Sequence, residues 1–415
     1  MAARCCTTRV VLALGQFALA LVLGCGGRAE LAVGSSAGRA GSTGGAGGAG
    51  GVTAATGGQP TVPEPERCTL REQLLSSKTA SPAPEAPALA WNGAGYGVVW
   101  MDHGHGLSVM DFSKSGDYFA AVDELANVVE SERRVAKEEF AGAPALAWSG
   151  SEYALLTVSD TAHLAHFDLA GASLVEPALL AVKASWPTPQ PGLAFAGAGF
   201  GVAWRDAEGL SSSIHFASVE PAGSLLNETV LSFGLTGSVD PHLVWTGSRF
   251  GVTWSDGRSG SYQIYFADFD AGGNIGTPVT RISHTEANTF SPRLVWVGDH
   301  YGLAWSEYRP EGNRSVHFRR IAASGETLGS ENHFDGVLLG LVWTGTDFGV
   351  VFQTRLERPN SLFLARIDAE GALTKQQLIA EDWAGQVWTA VAWNGGRLAL
   401  ASAELDVVFR VADCP

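Results

Sequence analysis

One sentence of sequence recurs seven times along this chain, and it constrains the fold more than any other feature. Its clearest copy is PHLVWTGSRFGVTWSDGR, residues 241–258. Further copies begin at Pro87, Pro144, Pro191, Pro292, Leu339 and Thr389. Measured from the first large aromatic of each (Trp91, Trp148, Phe195, Trp245, Trp296, Trp343, Trp393), the intervals are 57, 47, 50, 51, 47 and 50 residues. A fixed period outranks length as evidence, so about 350 residues that would otherwise suggest two domains read as one closed array.

Each unit holds four short strand patterns and no convincing helix. Strand A is Leu-x-Trp, as in Leu243 and Trp245, followed by a tight turn at Gly247. Strand B carries Phe250, Val252, Trp254 and Asp256 at every second position, the periodicity a strand requires. Strand C is YQIYFADF, residues 262–269, and it runs into a turn with a glycine: Gly116, Gly171, Gly223, Gly272, Gly325 or Gly371. Strand D is short and apolar. Four antiparallel strands every 40–50 residues or so is the signature of a propeller blade. The expected fold is an all-β, seven-bladed β-propeller over residues 67–415. The glycine after the strand B aromatic (Gly97, Gly201, Gly251, Gly302, Gly349) is expected to permit close approach of neighbouring blades. Blade one is longer, and its charged stretch 120–139 has room for a short helix between the outer strands.

These motifs, W-x-G, W-S-D-x-R-x-G and the I-Y-F strand, resemble the repeats of TolB-type, WD40-like periplasmic propellers. They are more similar still to repeat lipoproteins of Gram-negative bacteria. The resemblance covers the chain after residue 68 and implies the fold. The W-S-P-D-G of the TolB repeat is missing and the blades are longer, so TolB's partner is not carried over. The sialidase Asp-box is absent.

The N-terminus supplies an address. Arg4 and Arg9 precede an apolar run, Val10 to Leu23, that ends in Gly24-Cys25. A run this short reads as a signal peptide, residues 1–25, and the Gly-Cys junction resembles a lipobox with Cys25 as the lipidated residue. Gly26 lacks the aspartate of an inner-membrane retention signal, so the expected location is the outer membrane. Residues 26–66 are rich in Gly, Ala, Ser and Thr and bury too little to order themselves. They read as a flexible tether with an r.m.s. span of roughly 35 Å. No later apolar run reaches the roughly 20 residues of a membrane span, so contact with the membrane is expected through the lipid alone.

The formal charge is −15, and losing Arg4 and Arg9 with the signal leaves about −17. An acidic exported domain does not suit nucleic acid, because phosphate contact needs clustered cations. Of the five cysteines, Cys5 and Cys6 leave with the signal and Cys25 takes lipid. Cys68 and Cys414 remain as a pair in an oxidising compartment. The last unit lacks a strand D, and residues 68–76, CTLREQLLS, have no blade of their own. They resemble strand D of blade six, Gln376 to Ile379, so the N-terminal strand should complete blade seven and place the two cysteines beside one turn.

Candidate functional residues lie on the face where strands B end. Asp102, Asp206, Asp256, Glu307 and Glu404 recur there in register, with Ser159 and Thr354 in the other two blades. The bland reading is that each caps its turn by accepting backbone N–H bonds. The functional one is a ring of carboxylates around a cationic ligand. His103 and His105 are the densest metal-type pair, without a visible third ligand, so no metal or cofactor is expected. The repeat tryptophans read as core, whereas Trp186, Trp383 and Phe290 lie outside the repeat and are expected to project on that face. Arg258, Arg309 and Arg355 follow the strand B acids and read as their ion-pair partners. No catalytic signature is present. The expected role is a monomeric binding module for an envelope protein or glycan. The alternatives are a glycoside hydrolase or lyase, and a scaffold in an envelope complex.

Overall fold

A computed structural model describes residues 66–76, 87–102, 115–136, 142–181, 190–208, 211–232, 237–354, 360–383, 389–403 and 406–415. His103, His105, Trp186, Glu404, Arg355, Cys25 and tether residues 26–65 lie outside the described residues, whereas Glu66, expected in the tether, is the start of a strand. Among those described, the regular structure is strand throughout, grouped into seven sheets. Each blade is built on four antiparallel strands, from strand A inside to strand D outside, and in six of the seven the four are consecutive in sequence. The chain is thus a seven-bladed β-propeller.

Blade four shows the logic. Its strands are Ser238–Trp245, Arg249–Asp256, Gln263–Asp270 and Ile275–Arg281. Trp245 pairs with Phe250, and Trp254 with Tyr265. Alternate residues of a strand leave on opposite faces, and both faces of a blade meet another blade, so strands B are buried along almost their whole length. Core clusters therefore mix residues of adjacent blades: Tyr96 and Trp100 of blade one pack with Phe409 and Val411 of blade seven. The outer strands D keep apolar residues such as Leu226 and Ile275 exposed.

The glycines that follow strand B aromatics seat the ring of the next blade. A Cβ built on Gly97 would lie 2.6 Å from the Tyr153 ring, and one on Gly201 the same distance from Phe250. Gly349 is the exception. Its space is filled by Val342 and Leu364 of its own blade, because blade seven offers Leu398 where the others offer an aromatic.

The charged stretch of blade one is not helical. It forms strands C and D, Gly116–Asp123 and Val128–Arg134. Their turn is closed by Asp123, whose carboxylate accepts the Leu125 and Asn127 amides at 2.9 and 2.8 Å. Gly116 opens strand C instead of turning out of it, and Ala126 takes the positive φ of 67° there. In blade four that duty falls to Gly273 (φ 83°) and not to Gly272.

The ring closes as the sequence implies. Thr69–Leu74 pairs antiparallel with Val407–Asp413 and is strand D of blade seven. Arg410 Nε donates to Glu72 across this seam at 2.7 Å. Cys68 and Cys414 are bonded, with Cα atoms 4.4 Å apart. One element was not foreseen: Glu66–Arg67 pairs parallel with strand D of blade six, making that sheet five-stranded. Because this pairing is parallel to a strand that starts at a C–D turn, the chain arrives from the side of the A–B and C–D turns.

Candidate binding face

The opposite side of the ring carries the B–C loops and the D–A entries. The strand B acids sit there, and each described one is engaged within its own blade. Asp256 accepts the Arg258 amide at 2.8 Å, the Trp254 indole N–H at 3.2 Å and the Arg258 guanidinium. Burial alone would raise its pKa, but the Arg258 bonds outweigh this and hold it below the ordinary carboxylate value. Glu307 accepts from Arg309 Nε at 2.8 Å. Asp206 lies 3.8 Å from His215, and Asp102 is buried with its charge facing Tyr118. The rings carry a further regularity. Tyr118, His215, Tyr265 and His317 each stack on the strand B tryptophan of their blade, Trp100, Trp204, Trp254 and Trp305. In the two blades without an acid the hydroxyls do the capping: Thr354 Oγ1 accepts the Ser361 amide at 2.9 Å, and Ser159 Oγ accepts the Thr161 amide at 3.5 Å.

Trp383 departs from expectation. It is only 5% exposed, packed among Leu339, Leu400 and Ala412, and the Arg410 guanidinium lies 4.6 Å over its ring. It is core, because the chain after strand D of blade six is held against the B–C loop, the Trp383 amide donating to the Asn360 carbonyl at 2.7 Å. Phe290 does reach the face. Its ring lies 4.9 Å from Tyr262 and 5.6 Å from Tyr308, and Arg314 sits 4.7 Å over Tyr308. All four are half-buried. Together they form an aromatic and cationic rim between blades four and five. Burial pushes the Tyr308 hydroxyl up, so it is a neutral donor and acceptor at physiological pH.

The same two blades have the longest strands A, Ser238–Trp245 and Asn288–Trp296, against Val337–Trp343 in blade six and four or five residues in the others. Each extension passes through a bulge, and equivalent residues Asp240 and Ser291 adopt positive φ of 55° and 54°. Such backbone costs of order 1–3 kcal/mol per residue and persists where its surroundings hold it. Here Asp240 Oδ2 accepts both the amide and the hydroxyl of Ser291, at 3.0 and 3.2 Å.

The extensions lead into the central channel, a space of about 160 Å³. Every blade contributes to its wall the residue three before the strand A aromatic: Ala88, Ala145, Gly192, His242, Arg293, Gly340 and Ala390. Five are small. Two of them have no alternative to glycine, since a Cβ on Gly192 would lie 2.7 Å from Leu243 and one on Gly340 would lie 2.5 Å from Val391. The two large ones, His242 and Arg293, are basic and adjacent. Burial, then the Arg293 charge, depresses the His242 pKa to about 3, so the imidazole is neutral. Sequence reading passed over this pair; comparing this one position across the seven copies would have found it. Among the described residues no group of three or more His, Cys, Asp or Glu is arranged to hold a metal.

Neither a known family model nor a curated protein matches the chain. Solved structures do. A subtype N10 neuraminidase-like protein of A/little yellow-shouldered bat/Guatemala/060/2010 aligns with TM-score 0.43 and 8% identity, over 84% of this chain and 99% of its own. A subtype N11 neuraminidase-like protein of A/flat-faced bat/Peru/033/2010 (H18N11) aligns with TM-score 0.43 and 8% identity, over 84% and 94%.

Proposed function

We propose that this chain is an exported, lipid-tethered binding module that presents its B–C face to a protein or glycan partner of the cell envelope. One observation carries the reading. The first described strand, Glu66–Arg67, runs in from the side of the A–B and C–D turns, the side opposite the B–C face. On that face the rim of Tyr262, Phe290, Tyr308 and Arg314 supplies the residue types that dominate recognition surfaces, large aromatics and arginine.

A glycoside hydrolase or lyase draws less support. Such chemistry asks for two carboxylates facing each other across bound sugar. Asp256 and Glu307 are instead spent on Arg258 and Arg309 of their own loops. The anchor is read from the segment ending at Cys25, and Cys25→Ala should move the protein from the membrane fraction to the soluble one. The face is tested by cross-linked pull-down from the native envelope. The double variant Tyr308→Ala, Arg314→Ala should lose at least tenfold of the recovered partner, and Ser248→Ala on the opposite face should lose none. Equal recovery by both would contradict the assignment.

A further inference from the structure

We propose that the central channel is a seat for one small oxyanion, a carboxylate or a phosphate, held by the Arg293 guanidinium and the His242 imidazole N–H. The inference goes beyond the binding face above and stands independently of it.

The donors are set by the fold. The Leu294 amide donates to His242 Nδ1 at 3.3 Å. In a neutral ring the proton then sits on Nε2, so the remaining nitrogen is a donor. The ring is kept neutral by its surroundings, so it offers this N–H without adding charge. Arg293 makes one hydrogen bond within the protein, Nη1 to the Pro292 carbonyl at 3.1 Å. Among the described residues no carboxylate comes within ion-pair distance of it, and the rest of its fork is unspent on protein acceptors. Arg293 is half-buried in the channel wall, and burial there disfavours its charge. The other five ring positions are Ala and Gly and offer no acceptor side chain.

The nearest acid does not fill the role. The Asp240 carboxylate is anchored on Ser291, and its field is shared between Arg293 and Arg205. Burial holds the Asp240 pKa above the ordinary carboxylate value, which makes it a weak counter-charge for Arg293. A planar fork beside an N–H donor, in a narrow passage, matches an oxyanion bound through two or three oxygens. The 160 Å³ of space admits a small anion and excludes a polymer. Gly192 and Gly340, in the blades that flank His242 and Arg293, leave those sides bare, since a Cβ there would crowd Leu243 or Val391; across the channel the ring positions are Ala88, Ala145 and Ala390.

The test is thermal unfolding of the full chain in detergent with inorganic phosphate or sodium acetate, ionic strength held constant with sodium chloride. A ligand that binds only the folded state raises Tm along a saturation curve. The expected result is a saturable rise with at least one of the two anions, weakened at least tenfold in Arg293→Gln and unchanged in Arg309→Gln, whose arginine pairs with Glu307 on the outer loop. A response to phosphate alone or to acetate alone assigns the seat to that group. If Arg293→Gln does not unfold cooperatively, His242→Phe removes the second donor and should weaken the response at least threefold. Absence of any saturable rise in the parent protein, or an undiminished one in these variants, overturns the proposal. Tyr308→Ala, Arg314→Ala should keep the response, so failure of the anion seat and failure of the partner face are read separately.

Discussion

Gly302 lies bare against Phe348 of the next blade: a Cβ on Gly302 would stand 2.4 Å from the ring carbon Cε1. Gly251 meets Tyr301 in the same way at 2.7 Å. The aromatic-glycine dipeptide therefore docks blade to blade, blades one, three, four and five each offering the glycine forward to the ring of the next. Gly302→Ala should cost about 1–3 kcal/mol through overpacking. Gly396→Ala, where nothing lies closer than 3.9 Å, should stay within about 0.5 kcal/mol. Denaturant midpoints decide it, and equal effects would refute the docking role.

Trp254 and Trp383 should behave alike. Both are buried, Trp254 at 0% exposure and Trp383 at 5%. Either change to Ala should cost roughly 3–5 kcal/mol. A Trp383→Ala variant as stable as the parent would put that side chain back on the surface, where its sequence position suggested it belonged.

The disulfide joins residues 346 apart and so closes nearly the whole propeller into one loop. The chain-entropy model gives roughly 6 kcal/mol for a loop of this length, as an upper guide. Cys68→Ser, Cys414→Ser should lower stability by a sizeable part of that. Glu72 with Arg410 and the full pairing of Thr69–Leu74 should still close the ring. Mapping of non-reduced peptides should recover the Cys68–Cys414 link, and free thiols at both positions would contradict it.

His242 predicts a pH dependence. Its folded pKa of about 3 lies below the ordinary 6.5, with burial the first cause and Arg293 the second. Between those values the unfolded chain binds a proton that the folded chain refuses. Stability from this group is therefore full above pH 6.5 and is lost progressively as pH falls toward 3. The depressed Asp256 and Glu331 carboxylates also lose their contribution in acid, as pH falls below their ordinary values of 3.8 and 4.5. His242→Gln leaves them in place, so its Tm-against-pH curve should be flatter than the parent's between pH 6.5 and about 3. Parallel curves would show that His242 does not titrate as described.

The blades were legible because their cause is local. Phe250, Val252, Trp254 and Asp256 alternate on one strand, and Gly247 turns the chain with a φ of 97°. The closure was legible for the same reason, since residues 72–75 copy the strand D pattern of blade six. What lay beyond the sequence was set by neighbours. Trp383 sits outside the repeat, so nothing local showed that Arg410, some 27 residues later in the chain, covers its ring. The pairing of Glu66–Arg67 with Gln377–Leu378 spans the seam of the ring and has no periodic signal. His242 and Arg293 belong to the repeat, but the meaning of their position appears only when seven copies are arranged around one axis.

The central claim, a binding module that works through its B–C face, is tested most directly by placing a photo-reactive phenylalanine at Phe290 or at Ser248 and irradiating intact cells. Phe290 lies on the rim and Ser248 in the A–B turn on the opposite side. The account predicts a discrete cross-linked product from position 290 and none from 248. A product from 248 alone, or the same product from both, would contradict it.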